Sequence, residues 1–142
     1  MDWITRAIAI GNYEDAQGDR PQKAGITAVL NLCLEREDFP ATREFENNGI
    51  VYSKVPLWDS PKNPPEMLDA AVSLLSSLLS QGHRVLVHCG AGVSRSPTVV
   101  YLYLLRCGMS PREAKRLIRE KRKEAIPNFD DFSRLIKPRE VV

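Results

Sequence analysis

Residues 84–105 read RVLVHCGAGVSRSPTVVYLYLL. Val85 to Val87 is a continuous apolar run, as expected of a strand covered on both faces. A polar turn with Gly90 and Gly92 follows, and then an apolar segment long enough for a helix from about Ser96 to Cys107, ended by Gly108. A glycine-bearing turn between two buried elements is where a ligand can meet backbone amides. Cys89 stands at the carboxyl end of the strand and Arg95 at the entrance to the helix.

ITRAIAIG (4–11) reads as one or two short strands and GITAVLNLC (25–33) as another. IVYSKVPL (50–57) alternates as a strand does. A short helix built around Phe45 is predicted between Pro40 and Gly49. Pro61, Pro64 and Pro65 exclude regular structure at the start of WDSPKNPPEML. Asn63 is expected to cap the next helix with Glu66 as its reciprocal partner. Met67, Ala71, Leu74, Leu75, Leu78 and Leu79 share one helical stripe, which Gly82 ends. Ser110-Pro111-Arg112-Glu113 is a second capping box, opening a helix to about Lys123. Phe129 to Ile136 is predicted as a last short helix. Strands alternating with helices imply an α/β fold, a single domain over 1–142 with a central, mostly parallel twisted sheet and helices on both faces. Ligands of such sheets lie beyond the carboxyl ends of the strands, where Cys89 falls.

The bulk composition agrees. The chain has 142 residues, 43% hydrophobic and 27% charged, enough for one core and a soluble surface. A formal net charge of +2 argues against nucleic acid or an anionic membrane as partner. No apolar run is long enough to span a bilayer, and the first residues lack the layout of a signal peptide, so a cytoplasmic location is expected. Cys33, Cys89 and Cys107 form no CxxC pair, which disfavours a disulfide framework. Cys33 and Cys107 are expected to pack in the core. His83 and His88 lack zinc spacing, so neither a metal site nor another cofactor is expected.

Three readings of the loop fail. A nucleotide P-loop requires a lysine that is absent here. The third glycine of a dinucleotide fingerprint is missing, and no GxSxG elbow is present. The fourth reading is CxxxxxR, Cys89 to Arg95. The backbone N–H groups of Gly90, Ala91, Gly92, Val93, Ser94 and Arg95 can wrap one tetrahedral anion. The helix adds its positive end, and Arg95 a planar fork for two phosphate oxygens. The same groups favour an anionic sulfur at Cys89, the nucleophile at the base of the cradle. Asp59, just past strand 50–57, is positioned to protonate the leaving oxygen and then to activate water. Ser96 is near enough in sequence for its hydroxyl to assist the departing sulfur.

These residues resemble the dual-specificity branch of the cysteine-dependent protein tyrosine phosphatases. HCGAGVSRSP is similar to that branch's HCxAGxSRS loop. AIAIGNYEDA, AGITAVLNL, IVYSKVPLWDSP, GMSPREAKRLIREKR and IPNFDDFSRL resemble further segments of it, so the likeness covers almost the whole chain. It implies that Cys89 is the nucleophile, Arg95 the phosphate clamp, Asp59 the general acid and Ser96 the helping hydroxyl. His88 and Asn128 match supporting positions. It also implies a phosphoprotein or phosphopeptide substrate; separately, a monomer with no nucleic-acid or membrane partner is expected. The glutamine that relatives often carry after PNxxF is missing. The loop lacks the lysines of phosphoinositide phosphatases, since Ala91 and Val93 are uncharged.

Blander roles stand beside these. Asp59 could be only a turn residue, Ser96 only a helix cap, and Asn128 a cap of the last helix. His88 orients the loop or carries a proton, and Trp58 lines the pocket or anchors the acid segment. The basic run PREAKRLIREKRKE is either a solvated helix face or an attractor of acidic substrates. Two functional alternatives also remain: the same chemistry on RNA 5′-phosphate, glucan phosphate, a phosphoinositide or an inositol polyphosphate, and a phosphate-binding module without turnover.

Overall fold

The computed structural model describes residues 1–34, 49–59 and 63–125. The helices expected at 40–49 and 129–136, and Asn128, lie outside these residues. Among the described residues five strands form one sheet: β1 (Asp2–Trp3), β2 (Ile8–Gly11), β3 (Ala28–Asn31), β4 (Val51–Lys54) and β5 (Val85–His88). Their order is β1-β2-β5-β3-β4, with β5 at the centre. β1 runs antiparallel to β2, and the β2–β5, β5–β3 and β3–β4 pairs are parallel. The sheet is therefore mixed but mostly parallel. A 3-10 turn (Glu14–Ala16) and four described helices complete it: α1 (Arg20–Lys23), α2 (Pro65–Ser80), α3 (Arg95–Arg106) and α4 (Pro111–Lys121).

Period-two alternation sends side chains of the central strands to both faces. Ile8, Ile10, Ala28, Leu30, Val85 and Val87 meet Leu75 of α2, Leu102 of α3 and Ile118 of α4 on one face. Ala9, Val29 and Leu86 point the other way, packing with Ala16, Ile26 and Ile50, and Trp3 and Tyr52 close that side. Val85 to Val87 of β5 are all apolar because both faces of the strand are covered. β4 is at the edge, and Val51 is exposed there.

The buried stripe of α2 is Leu68, Ala71, Val72, Leu75 and Leu78, with Met67, Leu74 and Leu79 at its margins. The helix is thus turned about one residue from the expected stripe, because Leu68 and Val72 lie beneath α3 and the sheet. Arg106 of α3 pairs with Asp69 of α2 on the outside of that contact. The expected cap also differs. Pro64 occupies the N-cap position of α2 with no side-chain capping bond, and Asn63 is used elsewhere. By contrast, the Ser110 side chain accepts from Glu113 N–H at 3.2 Å and Pro111 opens α4. Cys33 is buried, but Cys107 is exposed. Cys107 is the C-cap of α3, where the chain turns out of the core through Gly108, so it does not pack as expected. Among the described residues no helix is long and apolar enough to cross a membrane.

Candidate active site

Parallel pairing places the carboxyl ends of β2, β5, β3 and β4 on one rim, with Gly11, His88, Asn31 and Lys54 in register across it. β5 delivers Cys89 to the centre of that rim, where the residue is 2% exposed. Residues 90–94 then form an irregular loop, and α3 begins at Arg95. The helix N-cap is Ser94, whose carbonyl accepts from Thr98 N–H at 2.9 Å and Thr98 Oγ1 at 2.7 Å. Ser96 therefore sits inside the first turn and is not the capping residue. It is fully buried, and its Oγ lies 3.2 Å from Cys89 Sγ. The positive end of α3 faces the same sulfur-bearing loop.

Two carbonyls of the loop are held from outside it. Gly90 O accepts from Tyr13 N–H at 3.1 Å, and Gly92 O accepts from Arg122 Nε at 2.8 Å. No described peptide bond is cis. In a trans peptide the N–H of the next residue points opposite to the C=O. Tying these two carbonyls outward therefore directs the amides of Ala91 and Val93 to the opposite side, as an anion cradle requires. Gly92 has φ of 71°, and a Cβ there would stand 2.6 Å from Gly11 O. A side chain is excluded at that position by both backbone conformation and space. His88 is buried, and its Nδ1 lies 3.4 Å from Cys89 O, next to the backbone rather than out in the cradle.

Asp59 reaches this rim by a fold-back. After β4, Val55 N–H donates to Asn31 O at 2.9 Å and Leu57 N–H to Leu32 O at 3.0 Å. The segment thereby passes over the end of β3 toward β5. Arg95 Nη1 then donates to Leu57 O at 3.1 Å, joining the loop's arginine to the chain two residues before Asp59. Asn63 grips the next residue on both sides. Trp58 N–H donates to Asn63 Oδ1 and Asn63 Nδ2 donates to Trp58 O, each at 2.7 Å. Asn63 is buried, whereas Trp58 is 53% exposed and Asp59 is exposed. The Asp59 segment is thus fixed through its backbone, and the carboxyl of Asp59 is left open to solvent.

The structure brings Cys89, residues 90–95, Ser96 and His88 into one constellation and ties the Asp59 segment to it. Two supporting residues carry no signal in the sequence. Tyr13 acts through its backbone N–H, which any residue but proline supplies, so its side chain gives no clue. Arg122 lies in a run of mixed charge that resembles an ordinary solvated helix face, and only the fold shows it turned inward.

Comparison with known proteins agrees with this architecture. Residues 8–140 match the family model described as the dual specificity phosphatase catalytic domain. Human dual specificity protein phosphatase 9 is 35% identical over 117 residues, 80% of this chain and 29% of that protein. Mouse protein tyrosine phosphatase type IVA 2 is 33% identical over 107 residues, 74% of this chain and 62% of its own length. The chain thus spans about a third of the length of the dual specificity phosphatases it matches. Among solved structures, human tyrosine phosphatase-like serine/threonine/tyrosine-interacting protein superposes with TM-score 0.79 at 25% identity, covering 95% of this chain and 91% of that one. The active form of Tk-PTP gives TM-score 0.77 at 25% identity, covering 94% and 90%. With its family match, its sheet order and its Cys89–Arg95 loop, the chain belongs to the dual-specificity phosphatases within the cysteine-based protein tyrosine phosphatase superfamily.

Proposed function

We propose that the chain is a phosphatase hydrolysing phosphomonoesters on proteins, on phosphotyrosine and also on phosphoserine and phosphothreonine, through a cysteinyl-phosphate intermediate. The observation that carries this reading is the packing of Ser96 Oγ against Cys89 Sγ at 3.2 Å, beneath a loop whose carbonyls are tied outward. A site that only binds phosphate needs neither the thiol nor the hydroxyl.

In the first step the anionic sulfur of Cys89 attacks phosphorus, and the P–O bond to the substrate breaks. Asp59 gives its proton to the departing oxygen, which matters most for alkyl leaving groups. The phosphoryl oxygens are held by the amides of residues 90–95 and by the Arg95 fork. In the second step water attacks phosphorus from the side the substrate has left, and Asp59 takes its proton. The S–P bond breaks, and Ser96 donates a hydrogen bond to the released sulfur, giving free phosphate and the starting enzyme.

Turnover of p-nitrophenyl phosphate in the presence of a metal chelator, by wild type and by Cys89→Ser, tests the chemistry. The substitution should abolish turnover and keep vanadate or phosphate binding. Substantial turnover by Cys89→Ser removes the nucleophile from its role. Phosphopeptides ranked by kcat/KM beside an RNA 5′-phosphate, a glucan phosphate, a phosphoinositide and an inositol polyphosphate test the substrate class. A non-protein substrate at the head of that ranking overturns the protein assignment.

A further inference from the structure

The basic residues from Arg112 to Lys123 have one buried member. Arg122 is 4% exposed, and the others are exposed or half-buried. It is the C-cap of α4, with φ of −135° and ψ of 93°, so the backbone leaves the helix there in an extended conformation. Its side chain passes beneath the phosphate loop. Nε donates to Gly92 O at 2.8 Å. Nη1 donates to Asp2 Oδ2 of β1 at 2.7 Å and lies 3.4 Å from Ile10 O near the end of β2. Glu124 Oε1 stands 3.5 Å from the same nitrogen.

Burying a guanidinium is costly unless its donors are satisfied. Here the planar fork spans three parts of the fold at once, which the single ammonium of a lysine cannot do. The Nη2 atom also lies where a Cβ on Gly92 would be, at 2.6 Å. The close approach of arginine to loop is therefore built into both residues. Holding Gly92 O outward sets the plane of the Gly92–Val93 peptide, and with it the direction of the Val93 N–H. The carboxylates of Asp2 and Glu124 offset the charge of the guanidinium, so its effect on the loop runs through the Gly92 carbonyl rather than through free positive charge.

Resting on the phosphatase reading above, we propose that Arg122 is a positioning residue of the phosphate loop. It aims the Val93 amide at the bound oxyanion and, through Asp2, makes the amino-terminal strand β1 part of the support of the site. Arg122 reaches no substrate atom in this scheme. It acts through Gly92.

The test uses Arg122→Met and Asp2→Ala in the full chain, with circular dichroism to verify folding. Vanadate inhibition and the rate of iodoacetamide reaction at Cys89, followed by peptide mass to separate it from Cys107, are measured against pH. In Arg122→Met the alkylation rate at Cys89 near neutral pH should fall roughly tenfold. Vanadate should bind about tenfold more weakly, and kcat/KM should fall about 10–100-fold, as for a small misplacement of reacting groups. Asp2→Ala should move each quantity in the same direction by less. A merely structural arginine would lower the melting temperature and leave the alkylation profile and vanadate affinity unchanged. A folded Arg122→Met with wild-type values for both overturns the inference. Should that variant not fold, wild-type values in Asp2→Ala do so instead. A wild-type chain that fails to bind vanadate defeats the phosphatase reading and this inference together, whereas normal wild-type binding with unaltered variants defeats this inference alone.

Discussion

Arg95 Nη1 donates to the carbonyl oxygen of Leu57 at 3.1 Å, and this bond joins the two halves of the site. Arg95 opens α3, while Leu57 lies in the segment returning from the edge strand β4. The residue that would grip phosphate thus also holds the chain that leads to Asp59. Replacing Arg95 would disturb both, so its loss cannot be read as loss of a phosphate contact alone. The acid segment must be tested through other residues.

Asp59 and Asn63 separate chemistry from positioning. Asp59→Asn should lower kcat about 100-fold or more for an alkyl phosphate and far less for an aryl phosphate with a good leaving group. Equal losses on both would remove Asp59 as the acid. Asn63→Ala breaks both bonds to the Trp58 backbone and should cost about 1–2 kcal/mol of stability, read by urea unfolding. It should reproduce the leaving-group pattern of Asp59→Asn in weaker form, with vanadate affinity unchanged, because the loop of residues 90–95 is untouched.

Ser96→Ala removes the hydroxyl 3.2 Å from the sulfur. A hydrogen bond to a charged group is worth about 1.5–3 kcal/mol, or roughly 10–100-fold in rate. The loss should fall on the breakdown of the cysteinyl-phosphate. Stopped-flow measurement with p-nitrophenyl phosphate should show a burst of about one equivalent of nitrophenol followed by slow turnover. A slower rate with no burst would place the role of Ser96 in the first step.

Gly92→Ala should disable the cradle without removing any catalytic group. The added Cβ meets Gly11 O at 2.6 Å, and the φ of 71° is strained for alanine. The conformational cost alone is about 1–2 kcal/mol, and the clash with backbone prevents the loop from relaxing in place. Activity should fall about 100-fold or more through misplaced amides, and vanadate affinity should fall with it. Retained affinity would show that the amides of 91–93 do not form the cradle.

Leu102→Ala tests the scaffold. Leu102 is fully buried in α3, between the sheet and its neighbouring helices. Truncation should destabilise the chain by about 2–5 kcal/mol in urea unfolding. The surviving folded fraction should keep a normal KM, because the loop is positioned by backbone and polar contacts that Leu102 does not make.

Much of this protein is legible in its residues. The apolar run of β5 is continuous because both of its faces are covered, and that run by itself marks the centre of the sheet. The Cys89–Arg95 spacing is local, and a loop that short wraps one way around an anion. The Ser110 cap is equally local, a three-residue reach, and so is the positive φ of Gly92, whereas the approach of Gly11 O to Gly92 is set by packing. Other features are decided only by packing. Asn63 has the sequence context of a cap, yet Trp58 passes within reach of its amide once β4 folds back, and two good bonds there outweigh one cap. Cys107 looks like a core residue by type, but it stands where α3 ends and the chain turns outward. Arg122 is one positive charge among many until the end of α4 is set beside β1 and β2, and which of those charges turns inward depends on residues 30 to 120 positions away in the chain.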